Sequence, residues 1–260
     1  MSHSPFAPLL LSLLVVPAAA QADGLALRYD VFAGGTFAVA MEAELQMAPT
    51  AYRMGAALEL GGMYAVFASW DMQTTVSGAF AGDLVLPVQF NRQAEGGRRW
   101  VEIEFGDGSV ASARGNPSPD AEDNSMVPAA VKAEAIDPLS AIVAVLRQVG
   151  ETGSCAGSST VYDGKRYFAI SRVDRGPADA PASRYGAYSG PALLCRVTVD
   201  EGVYYGRSDR TPRVADIWLA QPIAGSLHVP VRIETESRYG AVRVHMTDVW
   251  SVSGPTAVAP

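Results

Sequence analysis

Histidine and cysteine are scarce in this chain, and their scarcity excludes whole classes of chemistry. Three histidines occur in 260 residues. His3 lies in the N-terminal segment, which leaves His228 and His245 with no H-E-x-x-H, H-x-H or carboxylate cluster at metal-ligand spacing, so neither a metal site nor a cofactor is expected. Serine is common, but no G-x-S-x-G elbow is present, and the G-S-C-A-G-S-S stretch at 153–159 has the wrong spacing for one. The G-D-G-S at 106–109 lacks the following lysine and helix of a phosphate cradle. Positive charge is also in deficit: 20 Lys and Arg against 27 Asp and Glu give a net charge of −7, which removes the electrostatic footprint for nucleic acid or an anionic membrane surface.

Long hydrophobic runs are missing too. The longest at the N-terminus, about Leu9 to Val16, falls well short of the roughly 20 residues that span a bilayer. It is followed by Pro17 and a small-residue patch with A-x-A sites ending at Ala20 or Ala22, the pattern of a cleavable secretory signal over residues 1–22, although its n-region has no Lys or Arg. The working protein is therefore expected to be exported to the periplasm and not to be integral to a membrane. With 48% hydrophobic and 18% charged residues the mature chain is globular, and its length suits one domain, taken as residues 23–252 with a disordered tail at 253–260.

The only cysteines, Cys155 and Cys195, make an even count suited to one intramolecular disulfide in an oxidising compartment. Neither follows the apolar run, which excludes a lipidated N-terminal cysteine, and their spacing does not match a C-x-x-C redox or metal pair.

What the chain has in abundance is period-two alternation. From Thr36 to Met47, Phe37, Val39, Met41, Ala43, Leu45 and Met47 share one face. Leu25 to Phe32 precedes it across a Gly34-Gly35 turn, and Tyr52 to Leu60 follows, which predicts a three-strand meander. The stretch at 63–73 reads as a short buried helix or another strand. Strands are predicted at Val76 to Ala81, Leu84 to Phe90, Arg98 to Phe105, Leu193 to Val199, Val214 to Leu219, Val229 to Glu236 and Ala241 to Trp250. Asp163-Gly164 marks a type I′ hairpin. Gly106 to Pro128 and Asp174 to Pro191 read as long loops. One helix is predicted from Pro138 to Val149, with Asp137 as N-cap and Leu139, Ile142, Val143, Leu146 and Val149 as its apolar stripe. Isolated among strands, it is expected to buttress a curved sheet.

Candidate functional residues are few. Glu102 with Glu104, and Glu234 with Glu236, project from one strand face at a spacing a carboxylate acid–base pair uses, and equally as solvated charges. His228 and His245 read as surface or partly buried residues. The first half is rich in methionine, with Met41, Met47, Met54, Met63 and Met72 beside Phe67 and Trp70, which suits either an ordinary core or a cavity for varied apolar ligands. On the second reading the lining is placed at Phe37, Met41, Met54, Phe67, Trp70 and Trp218.

The segments IDPLSAIVAVLRQV, VYDGKRYFAISRV, GPALLCRVTV and IWLAQPIAGSLHVPVRIETESRYGAVRVHMTDV together resemble a bacterial group of exported proteins known as domain of unknown function 3108. The resemblance runs from about Leu25 to Val249 and implies location and fold, with no activity. The ending is also similar to the closing strands of the LolA and LolB half-barrels, in which an open curved antiparallel sheet lidded by helices holds acyl chains. That similarity implies a mostly β, curved antiparallel half-barrel or β-spiral with the Asp137 helix across its concave face. The expected function is non-catalytic: a periplasmic envelope protein binding a lipid, an acyl chain or an envelope protein. A structural or interaction protein without lipid, and an envelope hydrolase, stand behind it.

Overall fold

A computed structural model describes residues 23–117, 127–201, 213–237 and 240–252. Residues 1–22, expected to form a leader, and the expected tail at 253–260 lie outside the described residues. Alternation becomes strands throughout: β1 (Asp23–Ala33), β2 (Thr36–Met47), β3 (Ala51–Leu60), β4 (Asp71–Ala81), β5 (Leu84–Ala94), β6 (Arg99–Gly106), β7 (Ser109–Asn116), β8 (Gly157–Tyr162), β9 (Tyr167–Ala180), β10 (Gly190–Glu201), β11 (Arg213–Ala220), β12 (Val229–Ser237) and β13 (Gly240–Val252). They form one curved sheet in the order β7-β6-β5-β4-β3-β2-β1-β13-β12-β11-β10-β9-β8, with every neighbouring pair antiparallel. The fold is thus two meanders joined where β1 meets β13, an open half-barrel.

The chain between the edge strands β7 and β8 carries α2 (Ala129–Glu134) and α3 (Pro138–Thr152). Leu139, Val143, Leu146 and Val149 of α3 are buried against Leu45, Tyr52, Met54, Val76, Phe90, Val101 and Ile103 from β2 to β6, and against Tyr162, Cys195 and Leu219 from β8, β10 and β11. This helix therefore fills the concavity and touches both halves of the sheet. It ends at Gly153, whose φ of 69° supplies the left-handed C-terminal cap.

A free strand edge invites pairing with another chain. The outer edge of β8 is blunted, because the Ile136 N–H donates to the Thr160 carbonyl at 3.1 Å and the Tyr162 N–H donates to the Ile136 carbonyl at 2.9 Å.

Several expectations are corrected. The helix in the 63–73 stretch is one turn, α1 (Tyr64–Phe67), and lies at the surface, with Val66 78% exposed. Its apolar residues lead into β4 and do not build a core. The segment from Gly106 contains β7, because Ser, Ala and Gly suit an edge strand whose neighbour β6 supplies the bulky residues; residues 118–126 lie outside the described set. Asp174 to Ala180 extends β9 through Pro177, where loop was expected. The Asp163-Gly164 hairpin forms, but the two residues between its paired ends Asp163 and Arg166 are Gly164 and Lys165, and only Gly164 has a positive φ, at 90°, where a type I′ turn requires two. His245, expected to be at most partly buried, is 4% exposed, packed against Phe32 and Tyr185; burial, then nearby Arg232, holds its imidazole below the usual range.

Cys155 and Cys195 form the disulfide, tying the segment after α3 to β10 with both residues buried. Closing a loop of 40 residues stabilises the fold by about 4 kcal/mol in the chain-entropy picture. The Cys155→Ser, Cys195→Ser protein is expected to unfold in urea with a free energy lower by about 2–4 kcal/mol; an unchanged midpoint would show that the bridge contributes nothing.

Candidate functional site

The inner face of β1 to β6 is organised in rows across the strands. One runs Leu25, Leu45, Met54, Val76, Phe90, Ile103 and is bulky throughout. The next runs Leu27, Ala43, Ala56, Thr74, Arg92, Val101, and the third Tyr29, Met41, Leu58, Met72, Ala94, Arg99. Small residues in the middle row leave the sheet short of α3, and a half-open chamber of ≈ 260 Å³ results. Leu27, Ala43, Ala56, Leu58, Met41 and Met72 form one wall; Pro138, Leu139, Ile142 and Leu146 of α3 form another; Val229, Pro230 and Ile233 of β12 close it. Ile142, predicted as part of the apolar stripe of the helix, is 38% exposed because it faces this gap.

Polar groups on the wall are Tyr29, Thr74 and Arg92. Burial raises the Tyr29 phenol well above its usual range, so it remains a neutral hydroxyl. Arg92 is the one charged residue lining the chamber among the described residues. It pairs with Asp163 of the β8–β9 turn at 3.4 Å. That turn leans on β6 so closely that a Cβ on Gly164 would come within 2.2 Å of Val101.

The helix forming the chamber roof is held by a buried polar chain. Asp137 Oδ1 accepts from the N–H groups of Leu139 (3.0 Å) and Ser140 (2.9 Å), its Oδ2 accepts from the Ser140 hydroxyl, and Ser140 Oγ shares a 2.6 Å hydrogen bond with the Tyr52 hydroxyl on β3. Asp137, Ser140 and Tyr52 are 0% exposed. The cap was legible as a helix start, but the partner on β3 was not, since nothing local links Tyr52 to a serine 88 residues away. Gly78 permits the contact, because a Cβ there would meet the Tyr52 ring at 2.4 Å.

Of the six residues assigned to a ligand lining from sequence, Met41 and Met54 lie on the chamber wall. The other four are not brought there. Phe37 lies tilted beside Phe32, with ring centroids 5.8 Å apart, and over the Gly61-Gly62 backbone. Trp218 packs with Ala180 and Ala220, beside Tyr188 and Leu194. Trp70 is half-buried ahead of β4, and Phe67 ends α1 with its side chain outside the described set. The residues sequence reasoning missed, Ala43, Ala56 and Leu58, share the face already assigned to Met41 and Met54, and their small size was the available signal.

The carboxylate pairs lie elsewhere. Glu102 and Glu104 both face Arg114, at 3.5 and 3.0 Å, and Glu234 bonds Arg232. Among the described residues no cluster of three or more His, Cys, Asp or Glu is placed to hold a metal. No helix among them is long and apolar enough to cross a membrane. A groove of ≈ 490 Å³ on the convex face is lined by Glu44, Gln46, Arg53, Thr75, Gln89 and Asn91.

A family model described as "Protein of unknown function (DUF3108)" matches residues 26–247. No functionally curated protein matches the chain. Among solved structures, the chain is similar to a β-barrel-like protein of domain of unknown function DUF1849 from Brucella abortus, at 9% identity and a TM-score of 0.49, over 88% of this chain and 98% of that one. It is also similar to a provisionally described lipoprotein from Parabacteroides distasonis, at 9% identity and a TM-score of 0.35, over 89% and 97%.

Desolvation raises the Asp137 carboxyl to about 6 despite the hydrogen bonds from Ser140 and Leu139. An unfolded aspartate titrates near 3.9, so folding takes up a proton between about pH 4 and pH 6, and stability falls as pH rises through that window. Relative to Asp137→Asn, which keeps the cap but cannot ionise, the native protein is expected to lose up to about 3 kcal/mol between pH 4 and pH 7. Asp174 and Asp216, held low by hydrogen bonds from Ser154 and Arg196, titrate alike in both proteins. Urea unfolding across pH checks this; parallel profiles would refute it.

Proposed function

The chain belongs to the DUF3108 family, and on that premise we propose that it is a periplasmic cell-envelope protein that binds a hydrophobic ligand, a lipid or acyl chain, without catalysing a reaction on it. The observation that carries this reading is the apolar chamber between α3 and the small-residue row Ala43–Ala56–Thr74. A volume of ≈ 260 Å³ is just below the range of small-molecule pockets, which run from about 300 to 1,000 Å³. It suits one apolar chain better than a bulky multi-chain lipid. Methionines at Met41, Met54 and Met72 give the wall adaptable side chains. The leader-like sequence pattern at residues 1–22 supports export.

Non-catalytic action is supported by where the acidic pairs sit: Glu102 and Glu104 share Arg114 on the convex face, away from the chamber. A second reading, an envelope interaction protein that docks a partner without lipid, draws on that convex face. There the row Ala26, Glu44, Gly55, Thr75, Asn91, Glu102, Arg114 offers polar and small side chains across seven strands.

Titration of the purified protein with an environment-sensitive naphthylamine probe is expected to give saturable binding, weakened by roughly tenfold in Ala56→Leu, which fills the chamber. Native mass spectrometry of protein recovered from the envelope is expected to show a bound apolar molecule. Equal probe binding by the filled variant, or recovery with a protein partner and no lipid, would overturn the ligand reading.

A further inference from the structure

The rows that line the chamber change character along their length. On β1 to β4 the second and third rows hold Leu27, Ala43, Ala56, Thr74 and Tyr29, Met41, Leu58, Met72; on β5 and β6 the second row continues as Arg92 and Val101 and the third as Ala94 and Arg99. The β8–β9 turn brings Lys165 and Arg166 to the same end, where Arg92 and Arg99 are close enough, after burial, to depress the Lys165 ammonium. In a chain of net charge −7, this places Arg92 on the chamber wall and three further cationic residues beyond it, Arg99 on β6 and Lys165 and Arg166 in the turn whose Asp163 pairs with Arg92.

The counter-charge at Arg92 and Lys165 is thin. Asp163 Oδ1 is occupied by the N–H groups of Lys165 (2.9 Å) and Arg166 (2.8 Å), and its Oδ2 meets Arg92 Nη1 at 3.4 Å, a long contact. Arg99 is engaged by Glu95 at 3.4 Å. Arg92 has five N–H donors and gives one of them to Asp163; Lys165 makes no side-chain ion pair among the described residues. A guanidinium whose stem lies along an apolar wall presents its fork to a carboxylate or phosphate bidentately.

We infer that the chamber takes a single-chain amphiphile with an anionic head, its tail over Met41, Ala56 and Leu58 and its head against Arg92 and Lys165. This rests on the ligand reading above and adds to it the charge and orientation of the ligand. Four strand spacings of about 4.8 Å separate β1 from β5, so the wall runs roughly 19 Å from Leu27 to Arg92, a length suited to one medium chain lying across the strands.

Calorimetric titration with decanoate, decyl phosphate, decanol and decyltrimethylammonium separates the possibilities. The two anions are expected to bind at least tenfold more tightly than decanol, with the cation weakest, and the preference is expected to shrink at high salt. Arg92→Gln is expected to remove most of the anion preference while decanol binding is retained, which also shows that the variant is folded. Lys165→Gln, in the exposed turn, is expected to reduce it by a smaller factor. Decanoate and decyl phosphate together decide whether a carboxylate or a phosphate head is favoured. Equal binding of anions, decanol and cation would overturn the charged-head inference and leave the apolar-ligand reading standing; binding of none of them would overturn both.

Discussion

The contact between the apolar stripe of α3 and the inner rows of β2 to β6 is the interaction on which the rest depends. Leu139, Val143, Leu146 and Val149 are each at most 7% exposed, and full burial of such side chains contributes roughly 1.5–3 kcal/mol apiece as an upper estimate. Without the helix the concave face of a single curved sheet would have no second layer, which a stable domain requires. The Asp137–Ser140–Tyr52 chain fixes where along the sheet the helix begins, and the Cys155–Cys195 bridge fixes where the chain leaves it. Both ends of the helix are thus pinned to different halves of the sheet.

The chamber is a consequence of that packing. Bulky residues in the first row meet the helix fully, whereas Ala43 and Ala56 in the second do not reach it. A cavity bounded by a pinned helix is a pre-formed one, and pre-formed apolar sites bind without first paying the entropy of ordering their walls. Arg92 and the Asp163 turn then make the two ends of this cavity chemically different.

Most of the fold was legible because the signals are local. Alternation in Thr36 to Met47 fixed β2 and its inner face, and Asp137-Pro138 fixed the start of α3 within a residue. The misreadings share a cause: β7 and the end of β9 are edge or near-edge segments rich in Gly, Ser, Asp and Pro, which become strands only because a neighbour offers hydrogen-bond partners. The site was legible in part. Met41 and Met54 were assigned from their face and chemistry and lie on the chamber wall, but large aromatic residues drew attention to Phe37 and Trp218, which pack elsewhere. A cavity is made by what is small, and Ala43 and Ala56 carry no signal until the register places them side by side beneath a helix.

The claim that α3 is the inner layer of the barrel and not a detachable lid is tested most directly by native-state hydrogen exchange of its amides. The account predicts that residues 141–149 exchange only through global unfolding, with the same free energy and denaturant dependence as the central amides of β3 to β5. Exchange of those helix amides through a separate, lower-energy opening while β3 to β5 stay protected would contradict it.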